Sequence, residues 1–132
     1  MSSKSNSPIK VLVAEDDPVM LALIGRQLEK EHYSVITAKD GNEALLAVES
    51  SPPDLIITDL LMPFTSGLEL IGIIRSNHGK NLPIIVLSAV DEESTVMEAF
   101  SLGADDFLTK PFKGGELSIR IKRLLDGKKK SS

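Results

Sequence analysis

The chain contains no cysteine. That excludes a disulfide framework and any thiolate metal site, so folding does not depend on redox compartment. Long apolar runs are missing as well. Uncharged stretches such as Leu55-Ile56-Ile57 are short, far below the roughly 20 residues of a membrane span. Met1 to Pro8 is Ser-rich and polar and lacks the apolar segment of a secretory signal. A cytoplasmic protein is the default expectation. The Gly-x4-Gly-Lys-Ser/Thr phosphate loop is absent, which excludes that mode of nucleotide binding.

What is present is one domain's worth of chain. Its 132 residues can bury a core without staples. Formal charge is −4, and Lys128, Lys129 and Lys130 sit in a terminal tail. Removing their three positive charges leaves residues 1–127 at −7. An acidic body disfavours bulk attraction to nucleic acid. The Lys run reads as a solvated tail or the cut end of a longer chain, and contact with an acidic partner is a further use.

Hydrophobic patterning alternates between two periods. Ile9 to Ala14 is a β-branched, mostly apolar run and reads as a buried strand. It stops at Glu15-Asp16-Asp17-Pro18, where proline suits a helix's first turn and acids suit its dipole. Met20, Ile24 and Leu28 then recur at helical spacing, to about Glu31. The same reading gives strands over Tyr33–Ala38, Asp54–Asp59, Pro83–Ser88 and Asp106–Thr109. Helices are expected from Asp40-Gly41 to Ser50, from Leu68 to about Asn77, from an Asp91 N-cap to Leu102, and from Gly115 to Asp126. Ala44, Leu45 and Val48 share one face of the second helix, and Pro52-Pro53 blocks its continuation. Gly103 and Gly127 are expected to close the last two helices, and His78-Gly79-Lys80-Asn81 to form a polar turn. His32 and His78 are read as solvated.

Five strands alternating with five helices imply βαβ crossovers, hence an α/β, doubly wound, five-stranded parallel sheet with helices on both faces. Ligands of such sheets bind beyond the carboxyl ends of the strands. There the sequence places Glu15, Asp16 and Asp17, then Lys39 and Asp40, then Asp59, then Ser88 and Ala89, then Thr109 and Lys110. If strands one and three are neighbours, Glu15, Asp16 and Asp59 converge. Three carboxylates in one cleft repel unless they take up protons or a cation fills the site. Oxygen donors of this kind suit Mg2+. Each residue alone has a bland reading: the acidic trio as a helix cap, Ser88 as a loop hydroxyl, Lys110 as a surface lysine. Asp59 at the end of Leu-Ile-Ile-Thr is harder to explain that way, because an unpaired buried carboxylate is costly. Together these groups point to phosphoryl transfer onto a carboxylate, with Mg2+ and Lys110 supplying charge and Ser88 a hydrogen bond.

Four segments carry a resemblance: Val-Leu-Val-Ala-Glu-Asp-Asp-Pro, Pro-Asp-Leu-Ile-Ile-Thr-Asp-Leu-Leu-Met-Pro, Pro-Ile-Ile-Val-Leu-Ser-Ala, and Gly-Ala-Asp-Asp-Phe-Leu-Thr-Lys-Pro-Phe. In this order and spacing the chain, over roughly Ile9 to Leu125, resembles the response-regulator receiver domains of two-component bacterial signalling. The resemblance implies a (βα)5 fold with strand order 2-1-3-4-5. It implies a flexible segment over 1–8, a receiver domain over 9–126 and a polar basic tail over 127–132. It implies that Asp59 accepts a phosphoryl group from a sensor histidine kinase or phosphotransfer protein. Asp16 and Asp59 would ligate Mg2+, Glu15 would act mainly through water, and the Leu61 backbone carbonyl would complete the ligands. Asp17 is not implied as a ligand. Lys110 would be the site's lysine and Lys110-Pro111 a cis peptide. Ser88 and Phe107 would be the switch pair, in variants where Thr and Tyr are frequent. Phe107 is equally an ordinary core aromatic, and both readings can hold. Such a domain catalyses its own phosphorylation and dephosphorylation, yet it is a signalling switch and not an enzyme in the usual sense. Its output would be a downstream effector or homodimer contact through the helix four, strand five, helix five face, with no direct nucleic-acid or membrane contact. Ile119, off the Leu117–Ile121–Leu124 stripe of the last helix, is expected to be exposed there, either as a harmless surface residue or as a contact.

Three alternatives remain in view. A haloacid-dehalogenase-type phosphatase would need a second Asp two residues after the nucleophile, where this chain has Leu61. A flavodoxin-like cofactor binder would want a Ser/Thr/Gly-rich loop after strand one, where Glu-Asp-Asp-Pro stands. A degenerate receiver would act as a phosphorylation-independent interaction module.

Overall fold

The computed structural model of the chain describes residues 8–131, with side chains through Gly127. The expected flexible N-terminal segment lies outside the described residues apart from Pro8. Ten elements alternate: β1 (Lys10–Ala14), α1 (Pro18–Lys30), β2 (Ser34–Ala38), α2 (Gly41–Ser50), β3 (Leu55–Thr58), α3 (Gly67–His78), β4 (Ile84–Ser88), α4 (Glu93–Leu102), β5 (Asp106–Thr109) and α5 (Gly114–Ser131). The strands form one parallel sheet in the order β2-β1-β3-β4-β5. The implied order is therefore the observed one.

Side chains on a strand alternate between faces, and the core divides accordingly. Leu12, Ala14, Ile56, Ile84 and Val86 pack on one face against Ala44, Val48, Leu70, Ile71, Ile74 and Ala99 of α2, α3 and α4. Val11, Val13, Leu55, Ile57, Ile85 and Leu87 pack on the other against Ile24, Leu28, Leu117 and Ile121 of α1 and α5. Burying both faces explains why the central strands read as unbroken apolar runs. Each fully buried Leu or Ile contributes about 2 kcal/mol relative to exposure.

Strand register sets the edge where chemistry is expected. Ala14 pairs with Ala38 and Thr58, and Ser88 with Thr109. The ladder runs one residue further: Glu15 N–H donates to the Ala38 carbonyl at 2.9 Å, Asp59 N–H to Ala14 at 3.0 Å, and Lys110 N–H to Ser88 at 2.9 Å. Glu15, Asp59 and Lys110 are thus the first residues past their strands, with their backbones still held by the sheet.

Helix starts are capped where the sequence offers a short polar side chain. Asp17 accepts from Val19 N–H, Asp40 accepts from Glu43 N–H, and Ser66 with Glu69 forms a reciprocal capping box. Three expectations about helix ends are corrected. Asp91 does not cap α4, which starts at Glu93 with Glu92 in the cap position and no side-chain cap bond. His78 is the last residue of α3, not part of the following turn, and its ring lies 3.4 Å from Glu49. Gly127 does not close α5, which continues to Ser131 through the expected tail. One exposed glycine costs a helix only about 1 kcal/mol. Gly103, by contrast, closes α4 in the left-handed region at φ 123°. Among the described residues no helix is long and apolar enough to cross a membrane.

Candidate functional site

The carboxyl edge of β1, β3 and β5 gathers the expected groups. Carboxylate oxygens of Glu15, Asp16 and Asp59 lie within 4.8 Å of one another. Glu15 and Asp59 are buried, at 2% and 8% exposure, while Asp16 faces solvent. Lys110 reaches across from the end of β5. Its ammonium donates to Glu15 Oε1 at 2.6 Å and to Asp59 Oδ2 at 2.9 Å. The Lys110-Pro111 peptide is cis.

The rest of each carboxylate is held by backbone. Asp59 Oδ1 accepts from the N–H of Leu60 at 2.6 Å and of Leu61 at 3.3 Å. Glu15 Oε2 accepts from Asp17 N–H at 3.2 Å. Asp17 itself is spent as the cap of α1, so the acidic trio divides into one cap and two site carboxylates. Asp59 Oδ2 accepts from Lys110, and Asp16 is exposed with a carboxylate oxygen within 4.8 Å of the other two.

Charge does not balance here. Three carboxylates face one ammonium, leaving a deficit of two positive charges. Burial raises the Glu15 pKa above its ordinary 4.5, and the Asp59 charge adds to that, against the opposing Lys110 and Asp17 bonds. For Lys110, burial works to lower the pKa but is outweighed by its bonds and attraction to Glu15 and Asp59, so the ammonium is held more firmly than usual. An all-oxygen donor set with that deficit fits a hard divalent cation. Glu15, Asp16 and Asp59 are the side chains that would hold it.

This gives a testable consequence in the metal-free protein. A raised carboxyl pKa means the folded state binds the proton more tightly than the unfolded one. The contribution of this group to stability is then complete below its ordinary 4.5 and is lost as pH rises through the raised value. Glu15→Gln is expected to remove this branch and to raise stability at pH 7 in EDTA by about 1 kcal/mol. Urea unfolding of both proteins between pH 5 and 8 checks it; parallel curves would contradict the sign.

Ser88 is fully buried, its hydroxyl accepting from Val90 N–H at 3.2 Å. Among the described residues that hydroxyl has no acceptor of its own, so its proton can be aimed at an incoming oxygen. Phe107 is partly buried against the α2–α3–α4 side of the core, its N–H bonded to Asp106 Oδ1, which also pairs with Arg120 at 2.6 Å. The Leu61 side chain is 64% exposed. Ile119 is exposed, as expected, with Met97 and Phe100 of α4 also exposed. His32 is exposed at a positive φ of 72°.

Two residues at the site escaped sequence reasoning. Thr58 is fully buried and donates through Oγ1 to the Asp59 carbonyl at 2.8 Å. Gly67 opens α3 so close to β3 that a Cβ there would sit 2.1 Å from the Asp59 carbonyl oxygen. The only local signal for Gly67 is glycine at a helix start, where it lowers helix propensity without a visible reason.

Comparison with known proteins agrees with this geometry. A profile of the response regulator receiver domain matches residues 11–122. The alkaline phosphatase synthesis transcriptional regulatory protein PhoP of Bacillus subtilis is 40% identical over 116 residues, 88% of this chain and 48% of that protein. Response regulator MprA of Mycolicibacterium vanbaalenii is 42% identical over 118 residues, 89% of this chain and 51% of that one. The chain thus spans about half the length of these relatives. Among solved structures, the receiver domain of a Francisella response regulator superposes with a TM-score of 0.84 at 38% identity, covering 91% of this chain and 98% of that one. A CheY-like receiver domain protein from Methanospirillum hungatei gives 0.91 at 25% identity, covering 96% and 100%.

Proposed function

The chain belongs to the response regulator receiver domain family, and from that membership we propose that Asp59 accepts a phosphoryl group from a sensor histidine kinase or phosphotransfer protein in a Mg2+-dependent reaction. One observation carries the reading: Asp59, buried at the end of β3, shares its second oxygen with Lys110 inside a cluster of three carboxylates. A cap or a structural ion pair would not need the third carboxylate.

In the reaction an Asp59 oxygen forms a bond to phosphorus as the donor's P–N bond breaks, and the electron pair leaves with the imidazole nitrogen. Backbone N–H groups of Leu60 and Leu61 keep the other oxygen fixed and the carboxylate oriented. Lys110, already 2.9 Å from Asp59, is within reach of a phosphoryl oxygen placed there. Ser88 donates its free proton to another. Asp16, Asp59 and the Leu61 carbonyl, with Glu15 mainly through water, would hold Mg2+, which would supply the remaining neutralisation of phosphoryl charge.

The bonds formed by Ser88 and Lys110 exist only with the phosphoryl group in place, so they bias a pre-existing equilibrium. Each tenfold change in population requires about 1.4 kcal/mol of differential contact, within the range of one charge-assisted bond. Phe107 follows Ser88, and the α4–β5–α5 face carrying Met97, Phe100 and Ile119 changes shape toward an effector or a second copy. Relatives about twice as long are named transcriptional regulatory proteins; a comparable output is assigned to what this face contacts, not to nucleic-acid or membrane binding by the acidic domain itself. A cytoplasmic location accompanies this role.

Incubation with phosphoramidate followed by phosphate-affinity electrophoresis tests the metal requirement. A retarded band is expected with Mg2+ and at least tenfold less of it in EDTA. Equal labelling in both would contradict the assignment of Glu15 and Asp16, and no labelling in either would favour the phosphorylation-independent module.

A further inference from the structure

The loop between β3 and α3 holds a residue that neither local conformation nor core packing favours. Phe64 has φ 68°, a left-handed backbone that bulky aromatic residues rarely adopt. The residue is 79% exposed, so no burial compensates. Glycine or asparagine would suit the backbone better.

The conformation is imposed from both sides. Gly67 N–H donates to the Leu60 carbonyl at 2.9 Å, and the Gly67 Cα lies against the Asp59 carbonyl. Thr65 Oγ1 donates to Asn42 Oδ1 at 2.7 Å, and the Thr65 carbonyl packs on Gly41 where a Cβ would be 2.1 Å away. The loop therefore leaves Asp59 and returns to it, rigidly anchored, with Phe64 near its tip. Three residues of chain reach at most about 11 Å, which bounds the distance from Phe64 Cα to Gly67 beside Asp59. Leu61, 64% exposed, flanks the same site.

We propose that Phe64, together with Leu61, is an apolar anchor for the protein that delivers the phosphoryl group to Asp59; this rests on the phosphoacceptor reading above. The occupant follows from position. A protein that delivers a phosphoryl group must bring its histidine to Asp59, and Gly67, three residues from Phe64, abuts the Asp59 carbonyl, so that protein covers the rim where exposed Leu61 and Phe64 stand. With a divalent cation filling the charge deficit the cleft offers little net attraction of its own, so residence has to come from apolar contact at the rim. Exposed aromatic side chains on a rigid support are the usual anchors of such contacts. A second copy is disfavoured, because a two-fold pairing through this loop would cover the approach to Asp59 that the phosphoryl donor needs.

The test uses Phe64→Asn, which keeps a side chain at ease with positive φ and removes the ring. The protein donor is an autophosphorylated histidine kinase, chosen from a purified panel as the one that phosphorylates the unaltered chain fastest. Transfer from it is expected to fall about tenfold in kcat/KM, through KM. Labelling by phosphoramidate should be unchanged and the urea midpoint equal or higher. Phe64→Trp should retain kinase transfer. Unchanged kinase transfer in Phe64→Asn overturns the anchor while leaving Asp59 as acceptor. A chain that phosphoramidate labels but no kinase in the panel does also overturns it. Failure of phosphoramidate on the unaltered chain removes the phosphoacceptor reading itself. A change in monomer–dimer equilibrium in Phe64→Asn, with kinase transfer intact, assigns the ring to self-association instead.

Discussion

Gly67→Ala is expected to destabilise the protein by about 3 kcal/mol, although it exchanges a poor helix former for the best one. Propensity alone predicts a gain of about 1 kcal/mol. The added methyl, however, would stand 2.1 Å from the Asp59 carbonyl oxygen and 2.6 Å from Leu60 Cα. Both are backbone atoms, and the oxygen is already bonded by Thr58 Oγ1. Neither can rotate away as a side chain could, so α3 or the end of β3 must move. Movement of β3 displaces Asp59 from Lys110, and labelling by a small phosphodonor should fall with stability. Urea unfolding at pH 7 reads the first effect. A midpoint equal to or above that of the unaltered protein would show that the helix start relaxes freely.

Lys110→Met should have a comparable effect, for electrostatic reasons. Methionine retains much of the lysine stem but withdraws the ammonium from Glu15 and Asp59, whose side chains are only 3% and 10% exposed. Removing one partner of a buried pair leaves uncompensated charge, at a cost of about 3 kcal/mol. The pH dependence identifies the cause. Because Lys110 has a raised pKa, its contribution is complete below its ordinary value of 10.5 and is lost only as pH rises through the folded value. At pH 7 the whole effect should therefore be present. Without the ammonium, the Glu15 carboxyl is pushed up further, so the deficit should shrink as pH falls toward 4.5. Saturating Mg2+ should recover part of it, since the cation occupies the same carboxylates. A deficit independent of both pH and Mg2+ would point to lost packing instead.

The contrast between these two residues shows what the sequence made legible. Lys110 could be placed because it follows the short strand Asp106–Thr109, and strand ends in a parallel sheet share one edge. The same reasoning found Glu15, Asp59 and Ser88, and strand boundaries came within a residue or so of those observed. Helices were legible from periodicity, and some ends with them, since α2 runs Gly41–Ser50 and Gly103 closes α4 as expected, but the start of α4 and the end of α5 were not. Near α4, Asp91, Glu92, Glu93 and Ser94 all offer polar side chains, and the backbone turns at Glu92 without using one. At Gly127 a local breaker, costing about 1 kcal/mol, does not end α5, which runs on to Ser131. Gly67 was illegible for a different reason: the clash that makes it necessary depends on the approach of α3 to β3. No periodicity encodes that approach. Thr58 likewise reads as one more strand residue until its hydroxyl is seen on the Asp59 carbonyl.

Whether Asp59 is the phosphoacceptor is read from intact mass after incubation with Mg2+ and phosphoramidate, with Asp59→Asn alongside. A gain of one phosphoryl group is expected in the unaltered chain and none in Asp59→Asn. An equal gain in the folded Asp59→Asn protein would contradict it, as would no gain in the unaltered chain with Mg2+ saturating.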